Sequence, residues 1–322
     1  MKVERLPDVG ETLLGTGYRV DYGGKGSKQA VGCARLGAKV SFVAKIGKDA
    51  FGGMALDLYR DEDIDTGHVQ QTTDGPTGVG FIIVDANRGH NCITIDPGAN
   101  ELLSVSDVSR CFSTAGEPAV VLTQLEIPVA AAAAAMADGR ACGAITILNP
   151  APARPLPASV LQLVDVLTPN ETEGKLLAHI QPGTSIEPEK LARELIRLGV
   201  KQVVLTLGER GALIVTSSAA THIPAIEVSA VDTTGAGDAF NAGLAMALAC
   251  GAVLEDAGRF AVVTGGLSVT REGVIPSLPH AEEVLKFYRE QRVKAPTWLT
   301  PRGKASHSSM RATSSETPSP SG

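Results

Sequence analysis

Between residues 119 and 292 the apolar positions switch repeatedly between two spacings. Continuous runs of aliphatic and β-branched residues at 119–125, 144–148, 164–167 and 203–207 have the length and composition of strands covered on both faces. Helically spaced stretches at 129–138 and 188–198 separate them, and that alternation predicts a parallel sheet flanked by helices. A hairpin at 212–216 and 221–226 leads to a further strand at 229–233, and helices at 238–249, 254–269 and 281–292 close the domain. The N-terminal third differs. There 11–22 and 77–85 read as strands, 90–95 pairs with the latter, and the three make a small sheet that projects as a lid from about 8–23 and 75–100.

Polar residues stop the apolar runs at Gln124 and Glu126, at Asn149, at Asn170 and Glu173, and at Thr206 and Gly208. In an open parallel sheet these carboxyl ends share one edge, where α/β folds bind ligands. Two glycine-rich segments add to that edge. Asp21-Tyr-Gly-Gly-Lys-Gly-Ser-Lys-Gln-Ala30 precedes a helix reaching Leu36; it is either a plain turn or a site where helix-start N–H groups meet an oxygen-rich ligand. In Val231-Asp-Thr-Thr-Gly-Ala-Gly-Asp-Ala-Phe-Asn-Ala-Gly243, Gly235, Ala236 and Gly237 are small enough to form an anion-binding nest at a helix start. Asp238, in that first turn, reads either as a helix-dipole partner or as a general base for a hydroxyl nucleophile.

Composition narrows the function classes. With 35 Asp plus Glu against 29 Lys plus Arg, a net charge of -6, the chain offers no global positive field for nucleic acid or an anionic membrane. No window approaches the roughly 20 apolar residues of a membrane span, and the start lacks the apolar core of a signal peptide, so a soluble cytoplasmic protein is expected. Cys33, Cys92, Cys111, Cys142 and Cys250 are widely spaced without a C-x-x-C pair and read as buried thiols. From 294 to 322 Pro, Ser, Thr, Lys and Arg take over, and this stretch is expected to be a disordered tail to a 1–293 domain. A Walker A loop is absent, and no G-x-G-x-x-G opens the first βαβ unit, so phosphoryl transfer here would rely on nest amides, a water-held metal and basic side chains.

From about 6 to 292 the chain resembles the ribokinase-like (PfkB) sugar kinases. The resemblance rests on Asp232-Thr-Thr-Gly-Ala-Gly-Asp238 with Phe240-Asn-Ala-Gly243. Gly23-Gly-Lys-Gly26, Gln29-Ala30, Pro97-Gly-Ala-Asn100, Asn149-Pro-Ala-Pro-Ala153, Thr168-Pro-Asn-Glu-Thr-Glu173, Thr206-Leu-Gly208 and Thr270-Arg-Glu-Gly273 stand in the expected order. It implies a three-layer α/β fold with a mostly parallel central sheet and a small β lid. It also implies ATP-dependent phosphorylation of a sugar's primary hydroxyl, with D-ribose as acceptor. Under it Asp238 is the base, and Gly235, Ala236 and Gly237 are the anion hole. Gly24, Lys25, Lys28 and Glu126 are sugar contacts; Asn170, Thr206, Gly208, Gly211 and Gly237 serve the nucleotide. Glu173 serves Mg²⁺ through water, and Asp232 with backbone groups near Thr234, Ser268, Arg271, Gly273 and Ser277 forms a loop for an activating K⁺. The partners are then a small sugar and ATP, with a homodimer through the lid sheet.

Two departures qualify these implications. Where the family has Asn this chain has Lys28, which donates but cannot accept, and a carboxylate- or phosphate-bearing acceptor would suit it better. The family's opening Gly-Ser-x-Asn-x-Asp strand also has no counterpart, so a central sheet lacking its first strand is expected, through either a start further upstream or a damaged kinase. Other acceptors (fructose, a nucleoside, a keto-deoxy sugar acid) and an inactive sugar- or nucleotide-binding relic are the alternatives.

Overall fold

A computed structural model describes residues 1–88 and 91–299. In chain order the elements are β1 (Lys2–Val3), α1 (Lys25–Arg35), β2 (Ala44–Gly47), α2 (Ala50–Asp61), β3 (Val69–Thr72), β4 (Val79–Asp85) and β5 (Asn91–Asp96). They continue with α3 (Val105–Thr114), β6 (Val120–Thr123), α4 (Val129–Ala141), β7 (Ile145–Leu148), α5 (Ala158–Leu161), β8 (Val166–Leu167), α6 (Glu171–Leu177) and α7 (Pro188–Arg197). The last are β9 (Gln202–Thr206), β10 (Ala212–Val215), β11 (Ala220–Ile223), α8 (Ala236–Ala249), α9 (Leu254–Ser268) and α10 (Ala281–Glu290).

The main sheet has the order β11-β10-β9-β8-β7-β6; β6 to β9 pair in parallel, and β10 and β11 are antiparallel. Its strands alternate between two cores with a period of two. Ile147, Val166, Val204 and Ile214 face a layer of α8, α9 and α10, packing with Phe260 and Leu244, while Leu148, Leu167, Val203, Leu205 and Leu213 face Met136, Leu177, Leu191 and Leu195 of α4, α6 and α7. Burial on both faces explains why these strands read as continuous apolar runs. Glycine brings the helices of the first layer together: a Cβ on Gly32 of α1 would lie 2.7 Å from the Ala242 Cβ of α8.

A second, two-stranded parallel sheet joins β2 to β3, and a third has the order β1-β4-β5. β6 is thus an edge strand, and Val120, Val121 and Leu122 are only half-buried.

Several expectations fail here. Residues 11–22 form no strand; Thr16 makes one isolated bridge to Lys2, and the third strand of the small sheet is β1, parallel to β4. Alternation at 11–22 had nothing to pack on, for Leu14 and Tyr18 are exposed. The expected strand at 229–233 is a loop, because the Val231 and Asp232 N–H groups both donate to Val269 O rather than to a sheet. Cys92 and Cys250 are exposed, unlike Cys33 and Cys111, which are buried; enclosure pushes the Cys33 thiol up to about 12. Within the stretch from 294 expected to be tail, Trp298 packs edge-on against Phe260, with ring centroids 4.8 Å apart, and Leu299 is buried. Residues 300–322, and His90 at the start of the expected strand 90–95, lie outside the described residues. Among the described residues no helix is long and apolar enough to cross a membrane.

Candidate active site

Asp238 lies in the first turn of α8, whose N-cap Gly235 has φ 86°, a left-handed conformation that a side chain would strain. The carboxylate is 3% exposed and is gripped from α1 on both oxygens. Lys28 Nζ lies 2.6 Å from Oδ2, and Gln29 Nε2 donates to Oδ1 at 2.9 Å. The close approach of α1 and α8 at Gly32 makes these contacts across 209 and 210 residues of sequence possible.

Gln29 belongs to a buried polar chain along the carboxyl ends of the strands. Gln124, after β6, donates to Gln29 Oε1; Gln29 Nε2 also donates to Asn149 Oδ1 at 3.1 Å, and Asn149 Nδ2 donates to Thr168 O at 3.1 Å. Thr168 Oγ1 donates to Asn241 Oδ1 at 2.6 Å, and Asn241 Nδ2 returns to Gly237 O in the first turn of α8 at 2.7 Å. All five residues are buried. This chain fixes Asp238 and its helix start from several strands at once.

The expected sugar contacts converge at the other helix start. Gly24 N-caps α1, and Glu126 Oε2 accepts the Lys25 N–H at 2.6 Å, placing a carboxylate at the positive end of α1. At α8, the Asp238 N–H turns back to Gly235 O and the Ala236 N–H to Thr233 O at 3.3 Å. The Gly237 α-carbon borders open space, so of the expected anion-hole group it is the Gly237 edge that leaves room for a ligand.

Asn170 and Glu173 form a reciprocal capping box on α6. Asn170 Oδ1 accepts the Glu173 N–H, and Glu173 Oε2 accepts the Asn170 N–H, both at 2.8 Å. Burial pushes the Glu173 carboxyl up and Asp238 adds to that, against the Asn170 N–H and Lys25. Glu173 is therefore electrostatically part of the same site. Thr206 ends β9 and bridges to Asn170, and the turn through Gly208 closes with the Leu207 N–H on Gly211 O at 2.8 Å. Gly211 is required there, since its φ is 89° and a Cβ would stand 2.1 Å from Ile223 O. Beside this turn lies an open recess of about 880 Å³ lined by Leu207, Arg210, Leu213, His222, Ala225 and Ile226. Asp238 is not among its walls.

Of the expected cation-loop residues, Asp232 joins two segments: Oδ1 accepts the Thr234 N–H at 2.9 Å and Oδ2 the Gly273 N–H at 3.3 Å. Burial acts to raise the Asp232 carboxyl, but these N–H groups and Arg19 hold it below the ordinary range. The Arg271 side chain pairs with Glu283 and donates to Ser277 O at 3.3 Å, bracing the loop. Ser277 Oγ is spent on Val274 O and Ser268 Oγ on Gly265 O. Among the described residues no three His, Cys, Asp or Glu side chains cluster as a metal site.

Sequence reading did not assign a role to Gln29, Asn149 or Asn241. Gln124 and Asn149 were visible as polar strand ends. Gln29 and Asn241 stood only as letters of the motifs Gln29-Ala30 and Phe240-Asn-Ala-Gly243, where nothing in the sequence gave either side chain a partner.

The family model described as pfkB family carbohydrate kinase matches residues 1–281. Ribokinase of Haemophilus influenzae is 37% identical over 278 residues, spanning 86% of this chain and 90% of that protein. The crystal structure of ribokinase from Thermotoga maritima superposes with a TM-score of 0.82 at 37% identity, covering 89% of this chain and 94% of that one. Arabidopsis thaliana ribokinase, solved with ribose and ATP, gives a TM-score of 0.80 at 32% identity, covering 88% and 93%.

Proposed function

The chain belongs to the pfkB family of carbohydrate kinases, and on that footing we propose that it transfers the γ-phosphoryl group of ATP to the primary hydroxyl of D-ribose, giving D-ribose 5-phosphate. The observation that carries this reading is the buried Asp238 carboxylate, held by Lys28 and Gln29 at a helix start whose Gly237 edge is open. A hydroxyl brought against Asp238 loses its proton to the carboxylate while its oxygen attacks the γ-phosphorus; such base assistance contributes roughly 10²–10⁴-fold. In the first turn of α8 the Asp238 and Ala236 N–H groups turn back to Gly235 O and Thr233 O, and the Gly237 N–H is left to meet the charge on the moving group. The relative solved with ribose and ATP supports both the sugar and the nucleotide.

Gly24, Lys25 and Glu126 bracket the sugar, with Lys28 at the reacting end. Thr206, Gly208 and Gly211 shape the nucleotide side, and the adjacent recess has partly apolar walls suited to a flat base. Asn170 and Glu173 face the phosphates. A single carboxylate fits Mg²⁺, which keeps several waters and is held largely by substrate phosphates; bound there, it supplies charge neutralisation to the phosphoryl oxygens. The Asp232 carboxylate, with backbone groups of Thr234 and Gly273, fits a monovalent cation such as K⁺, whereas the hydroxyls of Ser268 and Ser277 are turned to the protein's own carbonyls. The small sheet leaves Ile82, Ile93 and Ile95 exposed on one face, which supports pairing with a second copy. Lys28 already has its counterion in Asp238, which removes the motive for an anionic acceptor. The composition supports a cytoplasmic enzyme.

The test is ADP release with D-ribose, 2-deoxy-D-ribose, D-fructose, a nucleoside and a keto-deoxy sugar acid. D-ribose is expected to have the highest kcat/KM, and Asp238→Asn to abolish turnover while ATP still binds in titration calorimetry. Activity retained in that variant overturns the assignment of the base.

A further inference from the structure

A kinase with a competent base faces a chemical hazard, because water is a hydroxyl nucleophile too. Asp238 taking a proton from water would let the water oxygen bond to the γ-phosphorus while the bond to the bridging oxygen breaks. ADP would leave with the electron pair, and ATP would be lost as phosphate. The structure carries a specific obstacle to this. Lys28 Nζ covers Asp238 Oδ2 at 2.6 Å, its side chain is 14% exposed, and Gln29 Nε2 occupies Oδ1. Both carboxylate oxygens therefore already carry a donor, one of them a cation, and a water molecule must displace a donor to reach either oxygen squarely. Gln29 is locked by its partners Gln124 and Asn149. Among the described residues the Lys28 ammonium is held by this one ion pair, on a flexible four-carbon stem.

Resting on the reading of Asp238 as the base, we propose that Lys28 is a positioning residue that keeps Asp238 from activating water until a sugar displaces it. A water molecule has one contact to offer against a 2.6 Å ion pair in an enclosed site. A sugar brings several hydroxyls, and binding energy gained remotely, at Gly24, Lys25 and Glu126, offsets the displacement of Lys28. Discrimination between sugar and water is thereby built into the base itself.

The experiment measures two rates in the full-length protein with Mg²⁺ and ATP: phosphate release without sugar, and D-ribose phosphorylation. In Lys28→Met the sugar-free rate of phosphate release is itself expected to rise tenfold or more, carrying the ratio of hydrolysis to phosphorylation up with it, and in Lys28→Arg, which restores the cation, that rate is expected to rise far less. Adding Asp238→Asn to Lys28→Met should remove the hydrolysis. Lys28→Gln serves in the same way should the methionine variant not fold. A ratio that is unchanged because both rates fall together, as loss of structure alone would give, overturns the proposal; so does hydrolysis that survives in the double variant. Wild-type protein that phosphorylates no sugar at all would instead overturn the kinase reading, so the two failures are distinct.

Discussion

The Asp238 carboxylate shows how firmly neighbouring side chains can fix a buried charge. Its Oδ1 oxygen is held by Gln29, and Gln29 is held in turn by Gln124 and Asn149, so the side chain has one orientation in which every polar atom is satisfied. Gln29→Leu keeps the volume and removes all of these contacts. A hydrogen bond to a charged group is worth about 1.5–3 kcal/mol, so kcat/KM for D-ribose is expected to fall roughly ten- to a hundredfold. ATP affinity should not change, since the Thr206–Gly211 turn is elsewhere. Steady-state kinetics beside an ATP titration checks both halves, and a parallel loss of ATP binding would mean the substitution acts on the fold instead.

At the scale of elements, one carboxylate ties the two-stranded sheet to the helix behind it. Asp107, in the capping box that starts α3, accepts from Lys45 of β2 at 2.7 Å, Gln70 of β3 at 2.8 Å and the Ser104 N–H at 3.0 Å. Burial acts to raise this carboxyl, but Lys45 and the Ser104 and Gln70 donors outweigh it and hold it well below the usual range. Because the folded state favours the ionised form, the stabilisation is fully present above the unfolded value of about 3.9 and is lost as pH falls through the folded one. Asp107→Asn is expected to cost about 3 kcal/mol at pH 7 by leaving Lys45 buried without its partner. That gap should narrow below about pH 4, where the wild type protonates in unfolding and the variant does not. Urea unfolding at pH 7, 4 and 3 measures it; a gap independent of pH would assign the cost to packing.

These cases also mark what the sequence could and could not disclose. Strands β6 to β9 were legible because burial on both faces leaves unbroken apolar runs, and Gln124, Asn149, Asn170 and Thr206 were legible as the points where those runs stop. The glycine segments before α1 and α8 were legible because helix starts near ligands need small residues. Alternation misled at 11–22, and the β-branched residues near Val231 misled at 229–233, since period and propensity do not reveal whether a partner strand is in reach. The Lys28–Asp238 pair was illegible for a related reason. Asp238 stood out as a candidate base and Lys28 as a departure from the family pattern, but at 210 residues apart nothing in the sequence joins them, and only the packing of α1 on α8 makes them one unit.

Across the whole molecule, the parallel pair β2–β3 stands apart from the parallel strands β6 to β9 under shared covers. Val40, just before β2, packs with both the α8–α9 cluster and the cluster around Val31 and Leu58, while Val43 packs with Val108 and Ala131 of α3 and α4. Val120 and Leu122 of β6 reach the same α8–α9 layer. Side chains therefore join β2 and β3 to the body, whereas the backbone ladder of the main sheet ends at β6. A two-stranded sheet has little stability of its own, and opening free energy follows local packing. Amide hydrogen exchange is accordingly expected to be slowest in β8 and β9, faster in β6 and fastest in β2 and β3. The site lies across this division, since α1 carries Gly24 to Gln29 over the β2–β3 side and Glu126 follows β6. On the proposed reading, D-ribose held between Lys25, Glu126 and Asp238 bridges the pieces, and it should slow exchange in β2 and β3 more than in β8 and β9. Equal protection across all the strands, with or without D-ribose, would show instead that side-chain packing alone makes the two sheets a single cooperative unit.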